Sequence, residues 1–120
     1  MDLITNIKEK AKANKQRIVL PEGTEVRTLE AANILIREGI ADIILLGNVE
    51  KIKNMARESG LAEIEKAQII DPEDHPKKAE YIDALVEIRK KKGLTKEEAE
   101  KLLKDPLYLA VMMIKQGDAD

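Results

Sequence analysis

Hydrophobic positions along the chain change period in a regular way. Between Asp2 and Asn14, the residues Leu3, Ile4, Ile7 and Ala11 recur at helical spacing among lysines, which predicts an amphipathic surface helix. Ile18, Val19 and Leu20 form a short apolar run with β-branched members, closed by Pro21, and the run reads as a buried strand. Gly23 permits a turn, and Thr24 stands where a helix N-cap is needed. From Glu25 onward, Val26, Leu29, Ala32, Leu35 and Ile36 define the buried face of a second helix, with Gly39 and Ile40 as its stop. Asp42 to Leu46 is a near-continuous apolar run ending at Gly47, which suits a strand covered on both faces and parallel to the first.

The same period repeats. Asn48 is placed to cap a helix whose Val49, Ile52, Met55 and Ala56 face inward before Gly60 and Leu61 end it. Ala67 to Ile70 is a weaker third strand closed by Asp71 and Pro72; Glu73 to Pro76 reads as a loop, with Pro76 suited to a helix's first turn. From Lys77, the positions Ala79, Ile82, Leu85, Val86 and Ile88 run to a basic last turn, Arg89 to Lys92, ended by Gly93. Thr95 with Glu98 forms a capping box for a short helix through Lys104, and Asp105 with Pro106 starts another. That last helix, Leu107 to Ile114, is apolar nearly all the way round, a pattern normally buried on every side. The fold class is therefore α/β with a parallel sheet. A sheet this thin offers little cover for such a helix, so the pattern predicts the front part of a longer chain, or another subunit over the apolar surface.

Composition narrows the function classes. A chain of 120 residues is one domain's worth, and 43% hydrophobic with 37% charged residues is a soluble globular composition. The absence of cysteine excludes disulfides and thiolate chemistry. No apolar signal region follows Met1 and no run approaches the roughly 20 residues of a membrane span, so a cytoplasmic location without a membrane partner is expected. A net charge of -2 and only two aromatic residues, Tyr81 and Tyr108, argue against a nucleic-acid partner.

Ligands of open α/β sheets bind beyond the carboxyl ends of the strands, which draws attention to Glu22, Thr24 and Arg27. A lone carboxylate after a strand more often caps a helix or pairs with an arginine than acts as a base, and Arg27 is the nearby partner for Glu22. An anion at the turn from Pro21 to Glu25 would be opposed by Glu22 and Glu25. His75, the only histidine, lies in a polar loop and reads as a surface residue, with no companion His or Cys for a metal. Met112 and Met113 read as core or interface filler. Neither G-x-G-x-x-G nor G-x-x-x-x-G-K-[ST] occurs, which disfavours a dinucleotide-binding Rossmann enzyme or a P-loop enzyme. From spacing alone, Arg89 is a helix-terminal cation worth about 0.3 to 1 kcal/mol to its helix, and Lys90 to Lys92 are a solvated cluster.

Four segments taken together and in order change that reading: Arg17 to Thr28 (RIVLPEGTEVRT), Gly39 to Asn48 (GIADIILLGN), Glu87 to Thr95 (EIRKKKGLT) and Asp105 to Asp118 (DPLYLAVMMIKQGD). The chain from Asp2 to Asp120 resembles the amino-terminal region of phosphate acetyltransferases, also called phosphotransacetylases. The resemblance implies a three-layer α/β/α sandwich with isocitrate/isopropylmalate dehydrogenase-like topology, residues 1–120 being the amino-terminal part and a second domain lying outside them. It implies a homodimeric enzyme that reversibly passes an acetyl group between coenzyme A and inorganic phosphate, with coenzyme A as substrate, no tightly bound cofactor and no metal. In the family a base deprotonates the coenzyme thiol and the thiolate attacks the acetyl phosphate carbonyl. That base and its neighbouring serine and arginine lie far downstream, so no catalytic residue is expected here and the chain alone is expected to be inactive.

One functional residue carries over. The arginine of the family's E-L-R-K-H-K-G motif, which holds a coenzyme A phosphate, matches Arg89 in Glu87-Ile88-Arg89-Lys90-Lys91-Lys92-Gly93, where only Ile88 and Lys91 depart. A guanidinium offers the fork that a phosphate accepts. Pro21, Glu22, Gly23 and Arg27 match a signature near the cleft without individual roles. The competing class is a non-catalytic α/β module that binds a ligand or partner through the apolar end.

Overall fold

The computed structural model describes residues 2–120. Helix α1 (Leu3–Ala13) precedes strand β1 (Gln16–Leu20), α2 (Val26–Arg37), β2 (Ala41–Leu46) and α3 (Val49–Glu58). A 3-10 segment (Ala62–Lys66) leads to β3 (Gln68–Ile70), and α4 (Lys78–Ile88), α5 (Lys96–Leu103) and α6 (Pro106–Lys115) complete the described chain. The three strands form one parallel sheet in the order β1-β2-β3, with Ile18 opposite Ile43 and Leu45 opposite Ile69.

Side-chain alternation along β2 builds two cores, because successive residues of a strand point to opposite faces. Ile43 and Leu45 pack with Leu29 and Ala32 of α2 and Ile52 and Ala56 of α3. Ile44 and Leu46 pack with Ile70, with Tyr81 and Leu85 of α4, and with Leu103, Leu109 and Met113 farther on. Helices therefore cover both faces of the sheet in three layers, as expected of the family's sandwich, and the run Ile43 to Leu46 is buried on both sides as its sequence requires.

Caps close the helices where the sequence signals stand. Asn48 accepts from the Lys51 amide at 2.9 Å, and Thr95 and Glu98 form the expected capping box. After α2, Gly39 adopts the left-handed conformation at φ 68° and the Ile40 amide returns to the Leu35 carbonyl at 3.0 Å.

Several expectations fail for physical reasons. The first strand is not buried: β1 lies at the sheet edge, and Ile18 keeps 37% of its surface exposed. Helix α1 forms, yet buries none of its residues; Leu3, Ile4 and Ile7 are exposed. On α2 the stripe includes Leu29 and Ala32 but not Val26, which is 41% exposed. Helix α4 buries Tyr81, which the aliphatic pattern passed over, and leaves Ile88 out. It also stops at Ile88, and Lys90–Lys92 form a separate 3-10 turn before Gly93. Helix α6 buries Leu109, Ala110, Met112 and Met113, while Leu107, Val111 and Ile114 form an exposed stripe one turn apart.

Candidate functional site

The carboxyl ends of the strands carry the turns that the sequence pointed to. Gly23 donates its amide to the Leu46 carbonyl at 3.1 Å, and Gly47 donates to the Ile70 carbonyl at 3.0 Å, so backbone pairing reaches three residues beyond β1 and one beyond β2. A Cβ on Gly23 would stand 2.5 Å from the Leu46 carbonyl oxygen and 2.8 Å from Cδ1 of Ile52. Only glycine permits that approach, which presses the first turn against the end of β2. The turn itself closes with the Glu25 amide on the Glu22 carbonyl at 3.1 Å.

Thr24 does not cap α2 as expected. Glu25 occupies the N-cap position with extended backbone and makes no side-chain cap bond. The expected Glu22–Arg27 pair does not form either: both side chains are exposed, and among the described residues neither has an ion-pair partner. The first turn of α2 therefore offers amides with no side-chain acceptor, beside one free cation and two carboxylates.

Arg89 caps the carboxyl end of α4. Its amide returns to the Leu85 carbonyl at 3.0 Å and its carbonyl accepts from the Lys92 amide at 2.9 Å. Gly93 reverses the chain at φ 70°, and the backbone fixes four consecutive cations, Arg89 to Lys92, on one exposed corner. None of the four pairs with a carboxylate among the described residues. Such a corner concentrates positive potential and leaves the guanidinium fork free for an anion.

A second polar group, missed from sequence, ties α4 to the end of α6. Asp118 accepts from Lys77 Nζ at 2.8 Å and from the Tyr81 hydroxyl. Lys77 and then Tyr81 hold its carboxyl below the usual carboxylate range, while burial and Asp118 push the Tyr81 phenol up. His75 is the buried member of this group, not the surface residue expected. It is 7% exposed, lies 4.5 Å from the Tyr81 ring and accepts the Lys77 amide at Nδ1, and burial lowers its pKa. Two residues later, Asp120 grips Arg17 with both carboxylate oxygens at 3.1 and 3.2 Å and donates its amide to the Arg17 carbonyl at 2.8 Å. These partners lie 37, 41 and 103 residues apart, so no local pattern announces them.

The family model for phosphate acetyl/butaryl transferases matches residues 2–120. The chain belongs to that family. Among its relatives is a phosphate acetyltransferase from Thermoanaerobacterium thermosaccharolyticum, 52% identical over 120 residues, all of this chain and 36% of that protein. Another, from Clostridium acetobutylicum, is 48% identical with the same coverage. The crystal structure of a phosphotransacetylase from Streptococcus pyogenes superposes with a TM-score of 0.91 at 35% identity, covering 100% of this chain and 37% of that one. The chain thus spans about a third of the length of such relatives.

Proposed function

We propose that these residues form the amino-terminal part of a phosphate acetyltransferase and that Arg89 holds a phosphate of coenzyme A. The observation that carries the reading is the family match over residues 2–120, reinforced by relatives named phosphate acetyltransferase. The enzyme would pass the acetyl group from coenzyme A sulfur to a phosphate oxygen and back, with the thiol proton taken by a base outside these residues. Within them, the contribution is binding: Arg89 presents its fork from the turn after α4, and Lys90 to Lys92 raise the local potential.

Much of the open surface fits a larger assembly. Relatives nearly three times as long, the exposed stripe of Leu107, Val111 and Ile114, and the outer edge of β1, where among the described residues only Asp120 pairs with Arg17, all favour further sheet and helix from the same polypeptide. The same stripe suits a second subunit, in keeping with a homodimer. Among the described residues no helix is long and apolar enough to cross a membrane.

Calorimetric titration of coenzyme A into the 120-residue chain tests the binding role. Binding weakened both by Arg89→Ala and by use of dephospho-coenzyme A supports it. Binding indifferent to both changes overturns it. Acetyl phosphate formation by the same homogeneous chain would refute the placement of the reacting groups elsewhere.

A further inference from the structure

A groove of about 630 Å³ lies between α3, the 3-10 segment Ala62–Lys66 and β3. That volume lies within the range of about 300 to 1,000 Å³ in which proteins hold small ligands. Its walls include Val49, Leu61 and Ile69, and its charged members are Lys53, Arg57 and Glu65. Lys53 and Arg57 stand one turn apart on α3, both exposed, and none of the three charges forms an ion pair among the described residues.

The edge of β3 adds a polar pair. The Ile70 carbonyl accepts from Gly47, so Ile70 turns its backbone toward β2. Backbone groups alternate along a strand, so the N–H and C=O of Ile69 turn to the open side, where β3 has no neighbouring strand among the described residues. One donor and one acceptor therefore stand together on a residue that lines the groove. An added peptide strand draws its affinity from repeated rungs, and β3 is three residues long with one outward residue. A flat heterocycle needs only the single pair.

We propose that this groove binds an adenosine carrying phosphates. Adenine's Watson–Crick edge has an acceptor nitrogen beside an amino donor, the complement of one N–H and one C=O. The apolar walls take the purine faces, Lys53 and Arg57 take the phosphates, and Glu65 is an acceptor for ribose hydroxyls. This chemistry belongs to free adenine nucleotides; coenzyme A, whose phosphate is assigned above to Arg89 at the end of α4, across the sheet from α3, serves as the counter-probe.

Amide-resolved NMR titration of the chain separates the possibilities, with ADP, inosine diphosphate, pyrophosphate and coenzyme A as probes. ADP at millimolar concentration shifts the Ile69 amide and the α3 amides around Lys53 and Arg57. Replacing both cations (Lys53→Gln with Arg57→Gln) weakens ADP by about tenfold or more, since each charged contact to phosphate is a strong one. Inosine diphosphate, whose base reverses donor and acceptor, binds more weakly than ADP, and Arg89→Ala leaves ADP binding unchanged, which keeps this site separable from the Arg89 reading. ADP moves these amides and coenzyme A does not; if coenzyme A moves the same amides with the same sensitivity to the double variant, the groove is not a free-nucleotide site and the proposal is overturned. No shift at Ile69, equal binding of inosine diphosphate or of pyrophosphate, or binding that survives the double variant overturns the proposal.

Discussion

Replacing Gly23 by alanine should damage the fold more than any other single-methyl addition at its glycines. The new Cβ would lie 2.5 Å from the backbone oxygen of Leu46 and 2.8 Å from Cδ1 of Ile52. Ile52 is fully buried and Leu46 is held in the sheet, so the turn must move instead of its neighbours. Overpacking of this kind costs about 1 to 3 kcal/mol, and the displaced turn also loses the Gly23 amide bond to Leu46, worth about 1 kcal/mol. The sum, about 2 to 4 kcal/mol, is a large share of the 5 to 15 kcal/mol typical of a domain. Gly39→Ala is the internal control: its Cβ meets nothing within 4 Å, and the only cost is the left-handed backbone, about 1 to 2 kcal/mol. Urea unfolding followed by circular dichroism, fitted with a common slope, measures both. If Gly23→Ala costs no more than Gly39→Ala, the close approach of the first turn to β2 is not a constraint on the fold.

Tyr81→Phe removes one of two donors to Asp118 and should cost about 1 to 2 kcal/mol by thermal unfolding, Lys77 still serving the carboxylate; an unchanged midpoint would show that the hydroxyl bond is idle. His75 has its pKa lowered below its ordinary value of 6.5 by burial, so between the folded and unfolded values the unfolded chain binds more protons. Stability should accordingly fall as pH drops below 6.5, and urea midpoints in His75→Gln should be flatter across that window; equal slopes in both proteins would contradict the burial argument. Thr95→Ala deletes the capping box of α5 and should cost about 1 kcal/mol in urea, with Glu98→Ala giving part of the same loss.

Local chemistry was readable wherever a signal and its structural partner lie within one turn. Asn48, the Thr95 and Glu98 pair, and the Gly39 stop are all of this kind. The four apolar residues from Ile43 to Leu46 could satisfy burial only between two layers, so β2 and the sandwich were readable too. What escaped depends on distant partners. Thr24 looked like a cap, but the approach of Gly23 to Leu46 moves the helix start one residue on. Ile18 looked buried because its composition matches that of β2, while edge and centre differ only in what pairs beside them. His75 looked exposed because its neighbours are polar; Tyr81, six residues on in a different element, covers it. Arg89 was legible as a helix-terminal cation from its spacing, and as a candidate phosphate ligand only through the resemblance. The structure adds that its guanidinium is free of carboxylates among the described residues.

The most direct test of the Arg89 assignment is phosphorus NMR of coenzyme A during titration with the chain. The account predicts that the 3′-phosphate resonance shifts and broadens with wild type, and that Arg89→Ala abolishes the response while circular dichroism stays unchanged. A response confined to the diphosphate resonances, or a 3′-phosphate response that persists in Arg89→Ala, would contradict it.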